Sequence, residues 1–245
     1  MCRRTIEGYT GSAPIWQDHS FRTERGHSMS LPIFPLNSVL FPGEPLPLRV
    51  FEERYLRLLR DRVANDPVFG IALIASGSDV NDQPAFHQVG TTARLLSVNV
   101  IDDGMIDVVV VGGRRIVLSR GDWTRGYAIA DADELPDRRF NQREAIVRLG
   151  RARAILDSYV GLATRLAGSP FRAPGISLEA SEGSFAIAAL LPMHTWQQQE
   201  MLEDRDPVSR IDRACAILRR EITMLRQTGM VSAPLRPAGH TFSLN

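Results

Sequence analysis

The spacing of apolar residues changes near the middle of the chain from a strand-like period to a helix-like one. Between Leu31 and about Asp133, short apolar or alternating runs are separated by glycine and proline, as expected for β-strands joined by turns. Beyond Phe140, apolar residues recur every three or four positions, which is typical of amphipathic helices. The sequence therefore predicts a β-rich half followed by a helical half.

Three strands, two of which form a hairpin, can be predicted directly from this pattern. Val68–Ala75 is a continuous apolar run, which favours a strand buried on both faces. Thr92–Val100 alternates between apolar and polar residues, and Met105–Val111 is predicted to be the returning strand. The residues Asp102-Asp103-Gly104 between them supply a tight turn, so the two segments are expected to pair as an antiparallel hairpin.

Prolines and glycines predict where the chain turns. Five prolines lie between Leu31 and Tyr55, and a strand containing several is expected at a sheet edge or broken by bulges, because proline cannot donate a ladder hydrogen bond. Phe41-Pro42-Gly43-Glu44 has the composition of a type II turn. Gly112-Gly113 is predicted to begin another reversal. Two further strands are expected at Arg114–Ser119 and Tyr127–Ala130.

One helix interrupts the strand-rich half. Tyr55, Leu56, Leu59 and Val63 have helical spacing and predict a helix over Glu52–Ala64. Many short strands with one inserted helix favour a small, partly open barrel.

The helical half contains two long apolar stripes. The first comprises Leu149, Ala152, Leu156, Tyr159, Ala163 and Leu166, and the second comprises Val208, Ile211, Cys215, Leu218, Ile222 and Leu225. Gly168 and Pro170 are expected to end the first helix, whereas Asp206-Pro207 opens the second and Gly229 ends it. Both stripes are short for a coiled coil, so an antiparallel bundle within the chain is the favoured arrangement and a coiled coil the alternative. Shorter helices are predicted at Ser184–Leu191 and Thr195–Glu203.

Composition narrows the classes of function. The 245 residues are 44% hydrophobic and 23% charged with a net charge of +1, so no strong general attraction to nucleic acid or anionic membranes is expected. No apolar run is long enough to span a membrane. All 29 basic residues are arginine, which excludes from this chain the lysine of a phosphate-binding loop and that of a Ser-Lys dyad. Two cysteines give no disulfide framework, so a reducing, cytoplasmic setting is predicted.

Four segments are expected along the chain: a disordered tail at 1–30, a barrel at 31–135, a helical bundle at 136–229 and a second disordered tail at 230–245. The first segment lacks the apolar core of a secretory signal. Translation is expected to begin at Met29, just before the ordered pattern, which the intact mass of the natively expressed protein would test.

Catalytic and metal chemistry are not expected. The five histidines are scattered without partners at ligand spacing, and no cofactor-binding loop is present. Asp102 and Asp103 are explained by the predicted turn and Glu52-Glu53 by the start of a helix. Cys215 falls on an apolar stripe and is expected to be buried. The chain is therefore predicted not to be an enzyme and to need no metal or cofactor.

Two sets of residues are candidates for binding. The first could contact apolar side chains of a partner and comprises Phe34, Phe86, Met193, Trp196 and Met201. An edge strand marked by Pro45 and Pro47 could in addition capture an extended peptide by strand addition.

The second set is basic. Eight arginines lie between Arg138 and Arg172 against only two acidic residues, and the candidates for an acidic partner are Arg143, Arg148, Arg151 and Arg153. They form either the solvated face of a helix or a site for RNA or an acidic protein surface.

Four motifs, taken in order, resemble the N-terminal, substrate-binding domain of the Lon proteases. They are LPIFPLNSVLFPG at 31–43, Pro47-Leu48 with Phe51–Tyr55, Val89–Leu95, and Val111–Ile116. The family's helical half is similar to three further segments, namely Leu190-Leu191-Pro192, Gln197–Leu202 and Ile211–Leu225. The resemblance covers about Leu31 to Arg226. It implies an α+β fold, namely a PUA-like β pseudo-barrel followed by a helical bundle.

The resemblance also implies a function. In full-length Lon proteases this unit captures unfolded or tagged proteins, and neither an ATPase nor a peptidase module is expected in this chain. The expected function is non-catalytic binding of unfolded or extended polypeptide, as an adaptor or regulator of a protease or chaperone. The alternative is RNA binding through the arginine-rich helix face. Membrane binding is not expected, and the oligomeric state is left open.

Overall fold

A computed structural model describes residues 4–5, 28–65, 68–77, 83–101, 105–167, 175–229 and 242–243. The chain forms two units, one comprising Met1–Leu135 with Ala238–Asn245 and the other Pro136–Pro237. Most of the two predicted tails lies outside the described residues. Among the residues of these two segments that the structure describes, Met29 and Ser30 belong to a strand, and two-residue strands occur at 4–5 and 242–243.

The first unit is built on a closed five-stranded barrel. The strands of this unit are β1 (Arg4–Thr5), β2 (Met29–Leu36), β3 (Pro45–Val50), β4 (Val68–Ser76), β5 (Ala85–Phe86), β6 (Val89–Val100), β7 (Ile106–Leu118), β8 (Ala128–Glu134) and β9 (Phe242–Ser243). The barrel order is β6-β4-β2-β8-β7, and pairing of β7 with β6 closes it. The β2–β4 pair is parallel and the other barrel pairs are antiparallel. The predicted barrel is confirmed, but it is closed and not partly open.

Several local predictions in this unit are confirmed. Strand β4 is buried along Val68–Leu73 on both faces. Strands β6 and β7 form the predicted antiparallel hairpin, although its turn at 102–104 lies outside the described residues. The turn at Phe41–Glu44 has Gly43 at φ 79° and a hydrogen bond from the Glu44 N–H to the Phe41 carbonyl, as a type II turn requires.

Two prolines lie inside β2, which is a barrel strand and not an edge strand, so the prediction was wrong for this strand. Pro32 lies in the part of β2 that pairs only with β8, and Pro35 in the part that pairs only with β4. The strand changes neighbours at Ile33, which pairs with both. Each proline therefore pairs with a neighbouring strand on one side only. Its nitrogen, which carries no hydrogen, can point to the other side, so no ladder hydrogen bond has to be lost.

The predicted reversal at Gly112-Gly113 is wrong, because both residues lie within the continuous strand β7. Gly112 instead allows two backbones to approach closely. Gly43 donates a 2.9 Å hydrogen bond to the Gly112 carbonyl, and Gly112 donates one of 2.9 Å to the Glu44 carbonyl. A Cβ at position 112 would lie 2.1 Å from the Phe41 carbonyl oxygen. The glycine is needed for contact with the turn and not for a change of direction.

The predicted helix of this unit is confirmed as α1 (Glu53–Asn65). Its residues Tyr55, Leu56 and Leu59 are buried in the larger of two apolar clusters of the barrel. The Tyr55 ring stacks on Phe34 at a centroid distance of 4.1 Å. The family-like motif at 51–55 thus places an aromatic anchor of the helix in the barrel core.

The described residues of the second unit form four helices, α2 (Gln142–Ala167), α3 (Ala180–Ala188), α4 (Thr195–Glu203) and α5 (Pro207–Thr228). The start of α5 is capped by the Asp206 side chain, which accepts a hydrogen bond from Val208 N–H, and Gly229 ends the helix at φ 66°. The predicted helices are confirmed with shifted bounds for α3. The predicted end of α2 at Gly168 and Pro170 lies outside the described residues.

Helices α2 and α5 run parallel, so the predicted antiparallel bundle is wrong for this pair. Arg148 forms an ion pair with Asp212 near the start of both helices. About three turns further on in both helices, Tyr159 lies close enough to Glu221 for that carboxylate to affect its pKa. Apolar periodicity identifies the buried face of a helix but carries no information on the direction of its neighbour.

Arg210 joins the parts of the helical unit. Its guanidinium is completely buried and forms two hydrogen bonds of 2.7 and 2.8 Å to the carboxylate of Asp137, which precedes α2. It also donates to Ser184 Oγ in α3 and to the Asp204 carbonyl before α5. The Phe185 ring lies 4.0 Å from the guanidinium carbon. One side chain thereby ties together three segments that are distant in sequence.

Tyr159 makes the stability of this unit depend on pH in the alkaline range. Burial raises the pKa of Tyr159 to about 12, and the charge of Glu221 contributes further. An unfolded tyrosine ionises near pH 10, so the unfolded state loses its proton first as the pH rises. Stability is therefore lost between about pH 10 and 12.

We expect Tyr159→Phe to lose less stability than the wild type between about pH 10 and 12 in urea unfolding followed by circular dichroism. Near neutral pH the substitution should have little effect, because the buried Tyr159 hydroxyl has no hydrogen-bond partner among the described residues. Equal alkaline losses in both proteins would contradict this assignment.

Candidate functional site

An exposed tryptophan lies at the start of α4. Trp196 is in the first helical turn and is 60% exposed, although Met201 and Leu202 further along α4 are buried. The preceding segment is held by its backbone: Met193 N–H donates to the Leu191 carbonyl and His194 N–H donates to Gln197 Oε1 at 3.0 Å. The indole is thus presented on a fixed scaffold.

The remaining apolar candidates of the helical unit differ in accessibility. Met193, three residues before Trp196, is half-buried, and its carbonyl accepts a hydrogen bond from Gln198 Nε2. Met201 is completely buried and so cannot contact a partner in this structure. The accessible part of this surface therefore consists of Met193 and Trp196, which we call the α4 surface.

In the barrel unit, Phe34 is also completely buried, because it packs against Tyr55 and Phe69. Phe86 is half-buried and borders the smaller apolar cluster, as does Trp123. A Cβ at Gly121 would lie 2.9 Å from Phe86 Cε1, so the ring packs on this loop. Trp123 was not predicted as a candidate. Its position directly after Gly121-Asp122, which is a turn signal, could have indicated an aromatic residue in a loop.

Trp123 and Tyr55 both have their rings beside Arg54. The Arg54 guanidinium carbon lies 4.7 Å from the Tyr55 ring centre and 5.9 Å from that of Trp123. Arg54 also forms a 2.9 Å ion pair with Glu52, and both side chains are largely buried. The conformation around the start of α1 is therefore set by packing as well as by charge.

The edge of β3 is poorly suited to strand addition. The Glu44 carbonyl accepts a hydrogen bond from the Gly112 N–H and therefore points toward β7. Because the backbone N–H and C=O groups of successive strand residues point to alternate sides, those of Pro45, Pro47 and Arg49 point away from β7. The two prolines have no N–H, which leaves Arg49 as the one N–H donor of positions 45–49 on this side. β9 pairs with β3 at Leu48 and Arg49. Edge prolines of this kind protect against strand addition.

The arginine candidates on α2 also differ from one another. Arg148 forms ion pairs with both Glu144 and Asp212, and its hydrogen bonds to Asp212 and then Glu144 raise the pKa of its guanidinium. Arg143 and Arg151 are exposed and Arg153 is half-buried. None of these last three forms an ion pair with another described residue. Three of the four candidates therefore have uncompensated charge.

Potential metal-ligating side chains do not cluster in the part of the chain that the structure describes. No cluster of three or more His, Cys, Asp or Glu side chains there could hold a metal ion. Cys215 is buried, and that burial raises the pKa of its thiol, which favours an unreactive residue. Among the described helices, none has both the length and the apolar character needed to cross a bilayer.

The closed barrel with an inserted helix, followed by four helices, defines a PUA-like barrel-and-bundle domain. Residues 30–220 match the substrate-binding domain of ATP-dependent protease La (LON), and the chain belongs to this family. The crystal structure of a Lon N-terminal domain protein from Xanthomonas campestris is 30% identical, with a TM-score of 0.54 over 77% of this chain and 98% of that chain.

Other relatives extend the comparison. The N-terminal domain of Mycobacterium avium complex Lon protease has a TM-score of 0.57 over 78% of this chain and 98% of that one, at 19% identity, which is a likeness of fold. The Lon protease of Flavobacterium johnsoniae is 29% identical over 65% of this chain, and that of Escherichia coli (strain K12) is 26% identical over 83%. The matched regions cover 18% and 26% of those two proteases.

Proposed function

We propose that this protein binds unfolded or extended polypeptide without catalysing its cleavage, as a cytoplasmic adaptor or regulator of proteolysis. The observation that carries the proposal is the exposed Trp196 on the preorganised start of α4. An indole supplies a large apolar area at low conformational entropy cost, and tryptophan is among the residues most enriched at binding hot spots. Met193, three residues earlier in the sequence, adds a flexible apolar side chain that suits varied sequences.

Membership of the substrate-binding family supports the same proposal. A substrate-binding domain of a protease has to contact chains of many sequences, which favours apolar side chains over specific hydrogen bonds. The absence of lysine excludes from these 245 residues the lysine-dependent chemistry of a Walker-type ATPase or a Ser-Lys peptidase. The proposed function is therefore binding that relies on neither of these lysine-dependent reactions.

Trp196→Ala is expected to weaken binding of a labelled, permanently unfolded polypeptide, such as reduced and carboxymethylated α-lactalbumin. Truncation of a hot-spot tryptophan costs about 2 kcal/mol or more, so the dissociation constant should rise about 30-fold. Fluorescence anisotropy with the full chain measures this change directly. The fold should be retained, because the side chain is mostly outside the core.

Met224→Ala is the matched control, because Met224 is an exposed apolar residue of the same unit, on α5. Its affinity should stay within about twofold of the wild type. Equal weakening by both substitutions, or none by Trp196→Ala, would remove the α4 surface from the proposal.

A further inference from the structure

The outward face of α2 combines apolar and basic residues in a way that neither folding nor the α4 surface explains. Val147 is 64% exposed and Ile146 is 56% exposed, on the side of the helix opposite the buried residues Ala145, Leu149 and Ala152. This face, which we call the α2 patch, comprises Arg143, Ile146, Val147, Gly150, Arg151 and Ala154. The two β-branched residues do not contribute to the apolar core, since most of their surface is in water.

Charge on the α2 patch is uncompensated. The nearby acidic residues Glu144 and Asp212 are both paired with Arg148. Arg143 and Arg151 lie one turn before and one turn after Val147, and neither forms an ion pair with another described residue. The two residues are eight positions apart, so their Cα atoms flank the apolar pair at about 12 Å from each other along the helix axis.

The backbone is accessible in the middle of the patch. A Cβ at Gly150 would have no atom within 4 Å, so this position is open to solvent. Ala154 follows one turn later and is also exposed. Small residues at these positions let a second helix approach more closely than long side chains would allow.

We propose that the α2 patch is a docking site for an acidic amphipathic helix of a partner protein. The occupant has two carboxylates about 12 Å apart, which pair with Arg143 and Arg151, and apolar side chains between them that cover Ile146 and Val147. Charge complementarity identifies this partner, and the exposed apolar pair distinguishes it from RNA. A phosphate backbone would use the arginines but leave Ile146 and Val147 uncovered, and no aromatic residue lies among them for base stacking.

This inference does not depend on the α4 surface, since the two surfaces share no residue. A regulator of proteolysis can use one surface for substrate and another for a folded partner. The two proposals can therefore fail separately, and their probes differ in charge and in structure.

The test uses the full chain and a labelled, alanine-rich helical peptide containing two glutamates eight residues apart with two leucines midway between them. We expect saturable binding in fluorescence anisotropy. Arg143→Glu combined with Arg151→Glu should weaken it about tenfold or more, and a peptide with lysines in place of the glutamates should bind this double variant better than the wild type. Gly150→Leu should also weaken binding, because the leucine side chain would occupy the space of the incoming helix.

Arg165→Glu is the matched control, because it reverses an exposed charge on the same helix about 20 Å beyond Arg151. It should leave peptide affinity within about twofold of the wild type. The proposal is overturned if the peptide does not bind, if the double variant and the Arg165 variant behave alike, or if a single-stranded RNA of similar length binds through Arg143 and Arg151 and the peptide does not. Circular dichroism of each variant confirms that α2 is intact.

Discussion

Replacing Arg210 with alanine is expected to destabilise the helical unit by about 3–5 kcal/mol, the range for removing one partner of a buried ion pair. The wild-type guanidinium is completely buried and forms hydrogen bonds to the Asp137 carboxylate, Ser184 Oγ and the Asp204 carbonyl. The substitution removes one donor from each of these groups and takes the buried Arg210 cation away from the Asp137 carboxylate. It also removes the cation beside the Phe185 ring.

Urea unfolding followed by circular dichroism at the helical band measures this effect. Arg213→Ala is the matched control, because Arg213 belongs to the same helix but forms an exposed ion pair of 3.2 Å with Glu200. Exposed pairs of this kind contribute at most about 1 kcal/mol. Similar losses in the two variants would show that Arg210 does not hold the unit together. An intermediate loss for Arg210→Lys is expected, because an ammonium group cannot reproduce the bidentate bond to Asp137.

Gly112→Ala is expected to destabilise the barrel unit by about 3 kcal/mol or more. The added methyl would lie 2.1 Å from the Phe41 carbonyl oxygen and 3.0 Å from its carbon, and both atoms belong to backbone. Relief of the clash requires the turn at Phe41–Glu44 to move away. That movement would break its two hydrogen bonds with Gly112.

Gly150→Ala makes the same chemical change but is expected to have the opposite effect on stability. Position 150 is an exposed helix position with open space around it, so alanine should stabilise the helical unit by up to about 1 kcal/mol. Thermal unfolding of the two variants beside the wild type gives the comparison. A loss of stability in both, or in neither, would contradict the close approach assigned to Gly112.

Local signals in the sequence were sufficient for much of the barrel and the bundle. The type II turn at Phe41–Glu44, the helix start at Asp206-Pro207 and the stop at Gly229 depend on neighbouring residues only, and each was predicted correctly. The errors concern contacts between distant segments. Gly112 looked like a turn because the chain that approaches it, at Phe41–Glu44, is about 70 residues away in sequence.

The same limit applies to the candidate sites. Phe34 and Met201 are the right residue types for binding, but their burial depends on Tyr55, Phe69 and the rest of the tertiary packing. Val147, in contrast, lies on the side of α2 opposite the apolar stripe, so its exposure could have been predicted from helical periodicity alone. The ion pairs that distinguish Arg148 from Arg143 involve Asp212, which no local pattern connects to α2.

The central claim, that this protein binds unfolded polypeptide through apolar contacts, is tested most directly by fluorescence anisotropy of the full chain at low and moderate salt. The two probes are the labelled unfolded polypeptide and a labelled structured RNA. Binding of the polypeptide should change little with salt, since apolar burial does not depend on counterion release. Affinity for RNA alone that falls steeply as salt is raised would contradict the central claim, as would the absence of any affinity for the polypeptide.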